Sequence, residues 1–225
     1  MNRIYIGFDP KESIAYHVLS HSILRHSSKP VAIIPVNLTN LSAYYHRQYD
    51  NRQSNEFSFS RFLAPLLSEY QGRAIYMDCD MLVTTDISEL FDQLADTPEA
   101  VYVVKHDYES NSKIKYLGKK QYTYPRKNWS SFIYWNCGHP KNACLTKDII
   151  NEEAPAYLHR FSWLDDEEIG ELDCSWNFLV GEYEPPSITP KVIHWTLGGP
   201  YFNDFKECDY ADLWNSEKEQ ALFCQ

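Results

Sequence analysis

The chain has 225 residues, of which 44% are hydrophobic and 15% aromatic, enough apolar material for one substantial core. Its formal net charge of −10 excludes nucleic acid and anionic membrane surfaces as general partners, because no basic cluster offsets it. No stretch reads as a transmembrane helix and Met1-Asn2-Arg3 does not open a signal peptide, so a cytoplasmic protein without an integral membrane segment is expected.

In chain order, Ile4 to Phe8 reads as a first strand and Glu12 to His26 as a helix, with apolar residues Ile14, Val18, Leu19, Ile23 and Leu24 near helical spacing. Val31 to Val36 is a second strand. Arg61 to Leu67 has helical character despite Pro65, and Ala74 to Asp78 is a third strand. Thr85 to Phe91 resembles a short helix capped by Thr85 or Asp86. Val101 to Val104 is a further β-branched run. Lys105 to Asn128 is polar, rich in Lys and Tyr, and reads as a flexible surface excursion. Ser131 to Trp135 returns as a strand, Asn142 to Leu158 is helical in pattern, and Lys191 to Trp195 is a last strand. The alternation predicts an α/β fold with a mostly parallel sheet flanked by helices, in a single domain over 1–225. The six cysteines form no CxxC pair and read as reduced thiols.

Asp78-Cys79-Asp80 closes the apolar run Ala74-Ile75-Tyr76-Met77, and Met81-Leu82-Val83 follows directly. Two carboxylates at the end of a buried strand cost folding energy unless something compensates them, and the usual compensator is a divalent cation with oxygen ligands. Period-two geometry puts Asp78 and Asp80 on one side. The C-terminal end of a strand is also where open α/β sheets bind ligands. The bland alternative is two exposed loop aspartates. His194-Trp195-Thr196-Leu197-Gly198-Gly199-Pro200 offers an imidazole at a strand end and two glycines that let backbone N–H groups approach a phosphate. Its bland alternative is a structural histidine followed by a turn.

Together these motifs resemble the family 8 glycosyltransferases, enzymes of the GT-A fold, from the first strand to about Pro200. The resemblance implies a Rossmann-like mixed sheet, a nucleoside diphosphate sugar as donor (UDP-glucose or UDP-galactose), a glycan or other hydroxyl acceptor, retention of anomeric configuration, and Mn2+ or Mg2+ as cofactor. Ile6-Gly7-Phe8-Asp9 is similar to the family's opening strand, which brings Phe8 and Asp9 to the nucleotide base. Ser60-Arg61-Phe62-Leu63 looks like the helix before the metal strand, with Arg61 near the donor. Ile75 to Val83 matches the DxD strand, which implies Asp78, Asp80 and His194 as metal ligands and Asp78-Cys79 beside the donor. Asn136-Cys137-Gly138 is similar to the family's Asn-Ser-Gly, which implies Asn136 on the donor sugar. Trp176-Asn177 and the segment from His194 to Pro200 fit later motifs, with Gly198 and Gly199 at the diphosphate. Asp165-Asp166-Glu167 is the nearest match to the family's Asp-Gln-Asp and implies Asp165 or Asp166 near the anomeric carbon, in a catalytic role. The chain departs from the family there, and also where a lysine is usual but Pro200-Tyr201-Phe202 stands; Lys206 is a candidate substitute. Two other readings compete: a catalytically degenerate, metal-dependent nucleotide-sugar binder, and a phosphatase of the haloacid dehalogenase type.

Overall fold

The computed structural model describes residues 1–48, 55, 57–107 and 126–223. Strands β1 (Asn2–Gly7), β2 (Val31–Val36), β3 (Arg73–Met77), β5 (Val101–Val103), β6 (Phe132–Asn136) and β7 (Ile169–Glu171) form a six-stranded sheet in the order β2-β1-β3-β6-β5-β7. Every strand but β6 runs the same way: β1 is parallel to β2 and β3, β7 is parallel to β5, and β6 is antiparallel to both its neighbours. A second, three-stranded sheet joins β4 (Met81–Val83), β9 (Val192–His194) and β8 (Phe178–Leu179) in that order.

The central strands are buried on both faces, as their near-continuous apolar runs require. Ile4, Ile6, Ile75 and Met77 turn to one face, where they meet Leu19 and Ile23 of helix α1 (Ser13–His26). Tyr5, Ala74, Tyr76, Ile133 and Trp135 turn to the other, against Phe62, Leu63 and Phe161. The buried stripe of α1 is Ala15, Val18, Leu19, Ser22 and Ile23. Ile14 and Leu24, expected in that stripe, are exposed because Ile14 lies beyond its edge and Leu24 on the opposite face of the helical wheel.

The expected helix over Thr85 to Phe91 begins later, as α3 (Ser88–Gln93), with Asp86 Oδ1 accepting the Ser88 amide at 2.9 Å. The pattern over Asn142 to Leu158 resolves into α4 (Lys147–Glu152) and α5 (Pro155–His159), because Pro155 opens the second helix rather than continuing the first. Arg61 to Leu67 becomes a 3-10 turn followed by a short helix, α2 (Ala64–Leu67). Helix α6 (Ala211–Leu222) is tied to α1 by buried Glu217, which accepts from Arg25 at 2.6 Å and lies 2.6 Å from His21 Nδ1. Cys79, Cys137, Cys144, Cys174 and Cys208 are free thiols. Most of the excursion expected over 105–128 lies outside the described residues.

Candidate active site

The site forms where the chain passes from one sheet to the other. At the end of β3 the Asp78 amide still donates to the Ser131 carbonyl, at 3.0 Å. Three residues on, the chain has entered β4, whose Met81 pairs with His194 of β9, and the Asp80 carbonyl just before it accepts the Trp195 amide at 3.0 Å. The antiparallel register of β4 and β9 therefore delivers His194 to the acidic pair. One ligand atom from each of Asp78, Asp80 and His194 lies within 4.8 Å of the others, and all three residues are buried.

Asp78 is clamped. Arg61 Nη2 stands 2.9 Å from its Oδ1 and donates to its Oδ2 at 3.1 Å, and the Tyr76 hydroxyl donates to Oδ1 at 2.9 Å. Arg61 also donates to the carbonyl and hydroxyl of Ser130 at 2.8 and 3.2 Å. Burial drives the Asp78 carboxyl up to about 6 in spite of the Arg61 guanidinium, and the neighbouring Asp80 charge pushes the same way.

Asp80 is held differently. Its Oδ1 is buried with no hydrogen bond among the described residues, and His194 Nε2 lies 3.3 Å from it. The other ring nitrogen of His194, Nδ1, is 2.9 Å from Asn177 Oδ1. An Nδ1–H donated to that amide oxygen leaves a lone pair on Nε2 facing the lone pairs of the carboxylate. Two such atoms at this separation and burial repel unless a positive centre lies between them. The donor set of carboxylate oxygens and one imidazole nitrogen suits a divalent ion such as manganese or magnesium. The residues present thus fit the cation that the sequence resemblance implies.

The remaining expected residues divide. Phe8 and Asp9 follow β1, next to the end of β3; Phe8 is half-buried with its ring edge-on to Tyr16, and buried Asp9 accepts the Lys11 amide at 2.9 Å. Cys79 points away from Asp78 and Asp80 into the apolar cluster with Met77 and Met81, and burial pushes its thiol well up, so only its backbone borders the site. The Gly198 amide is committed to the Trp195 carbonyl at 2.9 Å rather than offered outward. A Cβ on Gly198 (φ +141°) would stand 2.6 Å from the Phe205 ring, so its glycine character answers to packing within its own loop.

Asn136 is not brought to this cluster. It pairs with Arg73 at the opposite end of β3, roughly 16 Å from Asp78 at about 3.3 Å per residue. Because β6 is antiparallel to β3, its entry rather than its exit adjoins the acids, and Ser130 and Ser131 stand there. Asp165 and Asp166 are also elsewhere. They precede β7, whose first residue is level with Val101 at the start of β5, and both are solvent-exposed. Lys141 donates to Asp165 at 2.7 Å, Asp166 pairs with Arg126, and Asp165 with Glu168 forms a capping box. Lys206 is exposed and its expected role gains no partner among the described contacts.

Several residues at the site carried no expected role. Tyr76 and Ser131 hold Asp78, and Asn177 and His106 stand behind His194. Buried Glu12 accepts the Tyr201 hydroxyl at 2.6 Å and so pins the loop after His194 to the turn after β1. Tyr76 was detectable as a polar residue two before Asp78 on the same strand face; the others are brought in by pairing over long sequence separations.

A family model for glycosyl transferase family 8 matches residues 13–139. Protein CDI of Arabidopsis thaliana is 48% identical over 224 residues, covering 97% of this chain and 86% of that protein. Among solved structures, the chain is similar to the bifunctional glycosyltransferase WbbM in its apo form, with a TM-score of 0.65, 15% identity, and coverage of 96% of this chain and 49% of that one. It is also similar to the glycosyltransferase GlyE of Streptococcus pneumoniae TIGR4, with a TM-score of 0.63, 14% identity, and coverage of 96% and 59%. For the galactosyltransferase LgtC in complex with donor and acceptor sugar analogs the values are 0.56, 12%, and 97% and 95%. The chain thus spans about half the length of WbbM and under two thirds of GlyE. These likenesses place it in the GT-A fold, and the family match removes the phosphatase reading. Among the described residues, no helix is long and apolar enough to cross a membrane.

Proposed function

Because the chain belongs to glycosyl transferase family 8, we propose that it moves a hexose from UDP-glucose or UDP-galactose to an acceptor hydroxyl, with retention of configuration. On this reading Asp78, Asp80 and His194 hold the Mn2+ or Mg2+ that accompanies the donor. The observation that carries it is the buried Asp80 Oδ1, without a hydrogen bond among the described residues, facing His194 Nε2 at 3.3 Å. Bound there, the cation supplies Lewis acidity toward the departing diphosphate.

The chain's own groups act by placement. Arg61 and Tyr76 fix both oxygens of Asp78, so the carboxylate needs no reorientation when the donor arrives. Phe8 and Asp9, beside the same strand end, are the proposed neighbours of the base. Asp165 and Asp166 face solvent in ion pairs, which favours charge stabilisation and positioning over a covalent carboxylate intermediate as the source of catalysis.

The test is release of UDP from each UDP-hexose with Mn2+, with and without a panel of hydroxyl acceptors. Asp80→Ala and His194→Ala are expected to lose about 10²–10³-fold in turnover while keeping the wild-type circular dichroism. A folded variant with full metal-dependent turnover refutes the assignment. The displacement of Asp165 and Asp166 from the cluster also supports a second reading, a nucleotide-sugar binder without turnover. That reading requires a UDP-hexose to raise the melting temperature with Mn2+ present while no UDP is released.

A further inference from the structure

Behind His194 lies a chain of buried polar groups that the reaction itself does not use. Asn177 is fully buried, and its amide reaches three side chains. Its Oδ1 is 2.9 Å from His194 Nδ1. Its Nδ2 donates to Ser131 Oγ at 2.9 Å and is 3.0 Å from His106 Nε2. The Ser131 hydroxyl donates its one proton to the Asn128 carbonyl at 2.7 Å, so its oxygen can only accept from Asn177. His106 Nδ1 is 3.0 Å from the Tyr183 hydroxyl, on a ring stacked over it.

We propose that His106 and Ser131 are positioning residues that, through the Asn177 amide, lock His194 in the Nδ1–H form and so keep its Nε2 lone pair aimed at Asp80. Two acceptors, His106 Nε2 and Ser131 Oγ, require the Asn177 NH2 to face them. That turns its carbonyl oxygen to His194, and an oxygen can receive only an N–H from Nδ1. If the amide were flipped, its NH2 would face Nδ1, the ring proton would move to Nε2, and Nε2–H would bond to Asp80 in place of a cation. Burial holds the His106 ring down to about 3, so it stays neutral, and with its one N–H on Nδ1 turned to the Tyr183 hydroxyl its Nε2 is the acceptor. The inference rests on the proposed cation site for its consequence, though not for the ring state itself. Partners of this kind behind a ligating histidine typically contribute about 10–100-fold in metal affinity.

The experiment uses the full chain, 15N-labelled, without donor. Long-range 1H–15N correlation reads the tautomers of His194 and His106, and the free Mn2+ signal in electron paramagnetic resonance reads the affinity for Mn2+ alone. The wild type is expected to show both rings protonated on Nδ1 and not on Nε2. His106→Phe, which removes the acceptor at similar volume, is expected to shift His194 toward Nε2–H and weaken Mn2+ by about tenfold or more. Asn177→Asp, near-isosteric and acceptor-only, is expected to keep His194 on Nδ1–H while moving His106 to Nε2–H, an outcome that a merely structural role does not produce. A wild-type His194 protonated on Nε2 overturns the proposal, as does a folded His106→Phe with unchanged tautomer and Mn2+ affinity. An unchanged His106 in Asn177→Asp also overturns it, so the idea stays testable should His106→Phe fail to fold. If the predicted tautomers appear but the wild type does not bind Mn2+, the relay stands and the cation role falls.

Discussion

Arg61 and Asp78 form a buried ion pair whose two members should behave unequally when removed. Each residue is only 6% exposed, so both charges have left bulk water. At 2.9 Å and an effective dielectric near 20, their attraction is about 6 kcal/mol. Desolvation costs several kcal/mol for each ion, so the intact pair contributes roughly nothing net. Truncation is another matter: Arg61→Met leaves a buried carboxylate with the Tyr76 hydroxyl as its one side-chain hydrogen bond among the described residues and is expected to cost about 3–5 kcal/mol. Adding Asp78→Asn removes the stranded charge, so the double variant should recover much of that loss, with an interaction energy of about 2–3 kcal/mol. Urea unfolding of wild type, both single variants and the double variant in chelator-treated buffer measures the cycle. An Arg61→Met variant within about 1 kcal/mol of wild type, or single-variant losses that simply add, would refute the picture of a mutually dependent buried pair.

Two further outcomes concern groups around the site. Burial first, and then the Arg61 and Arg47 charges, push the His159 ring down to about 3. The unfolded chain therefore takes up its proton near 6.5 while the folded chain does not, so stability present above 6.5 is lost on acidification toward 3, by up to about 1.4 kcal/mol per pH unit from this residue. Urea midpoints between pH 7 and 5 should fall more steeply in the wild type than in His159→Gln, and parallel slopes would count against a neutral, buried ring. Tyr201→Phe deletes the hydroxyl that donates to buried Glu12, leaving that carboxylate one bond short at a cost of about 1–3 kcal/mol in thermal unfolding. A change below about 0.5 kcal/mol would mean the loop after His194 is held by packing alone.

What the sequence made legible, and what it did not, follows strand direction. Asp78 and Asp80 were readable because their environment is local: an apolar run before them, another after, and a period of two that puts both carboxylates on one side. Their partner was not local. Only the β4–β9 register sets His194 beside Asp80, and no pattern within either strand encodes that register. The thiol of Cys79 is the same alternation seen from the other face: if the flanking acids point into the site, the residue between them must enter the core.

Direction also explains the two placements that differ from expectation. For a strand parallel to β3, the residues after it arrive at the site edge: Asp9 follows β1, Asp78 follows β3 and His106 follows β5. For the antiparallel β6 the rule inverts, and the residues before it arrive, which puts Ser130 and Ser131 beside Asp78 and carries Asn136 to the far edge. A motif of Asn-x-Gly type closing β6 is thus similar in residues but opposite in position. Asp165 and Asp166 precede β7, which is parallel to β5, so they too are assigned to the far edge, where solvent stabilises both, with Lys141 beside Asp165 and Arg126 beside Asp166. Asn177 comes after β7 and so returns to the near edge, where it meets both His194 and His106. The side chains that build the site are therefore those that the sheet's order and polarity sort to one edge, and residue type alone decides only what each does once it is there.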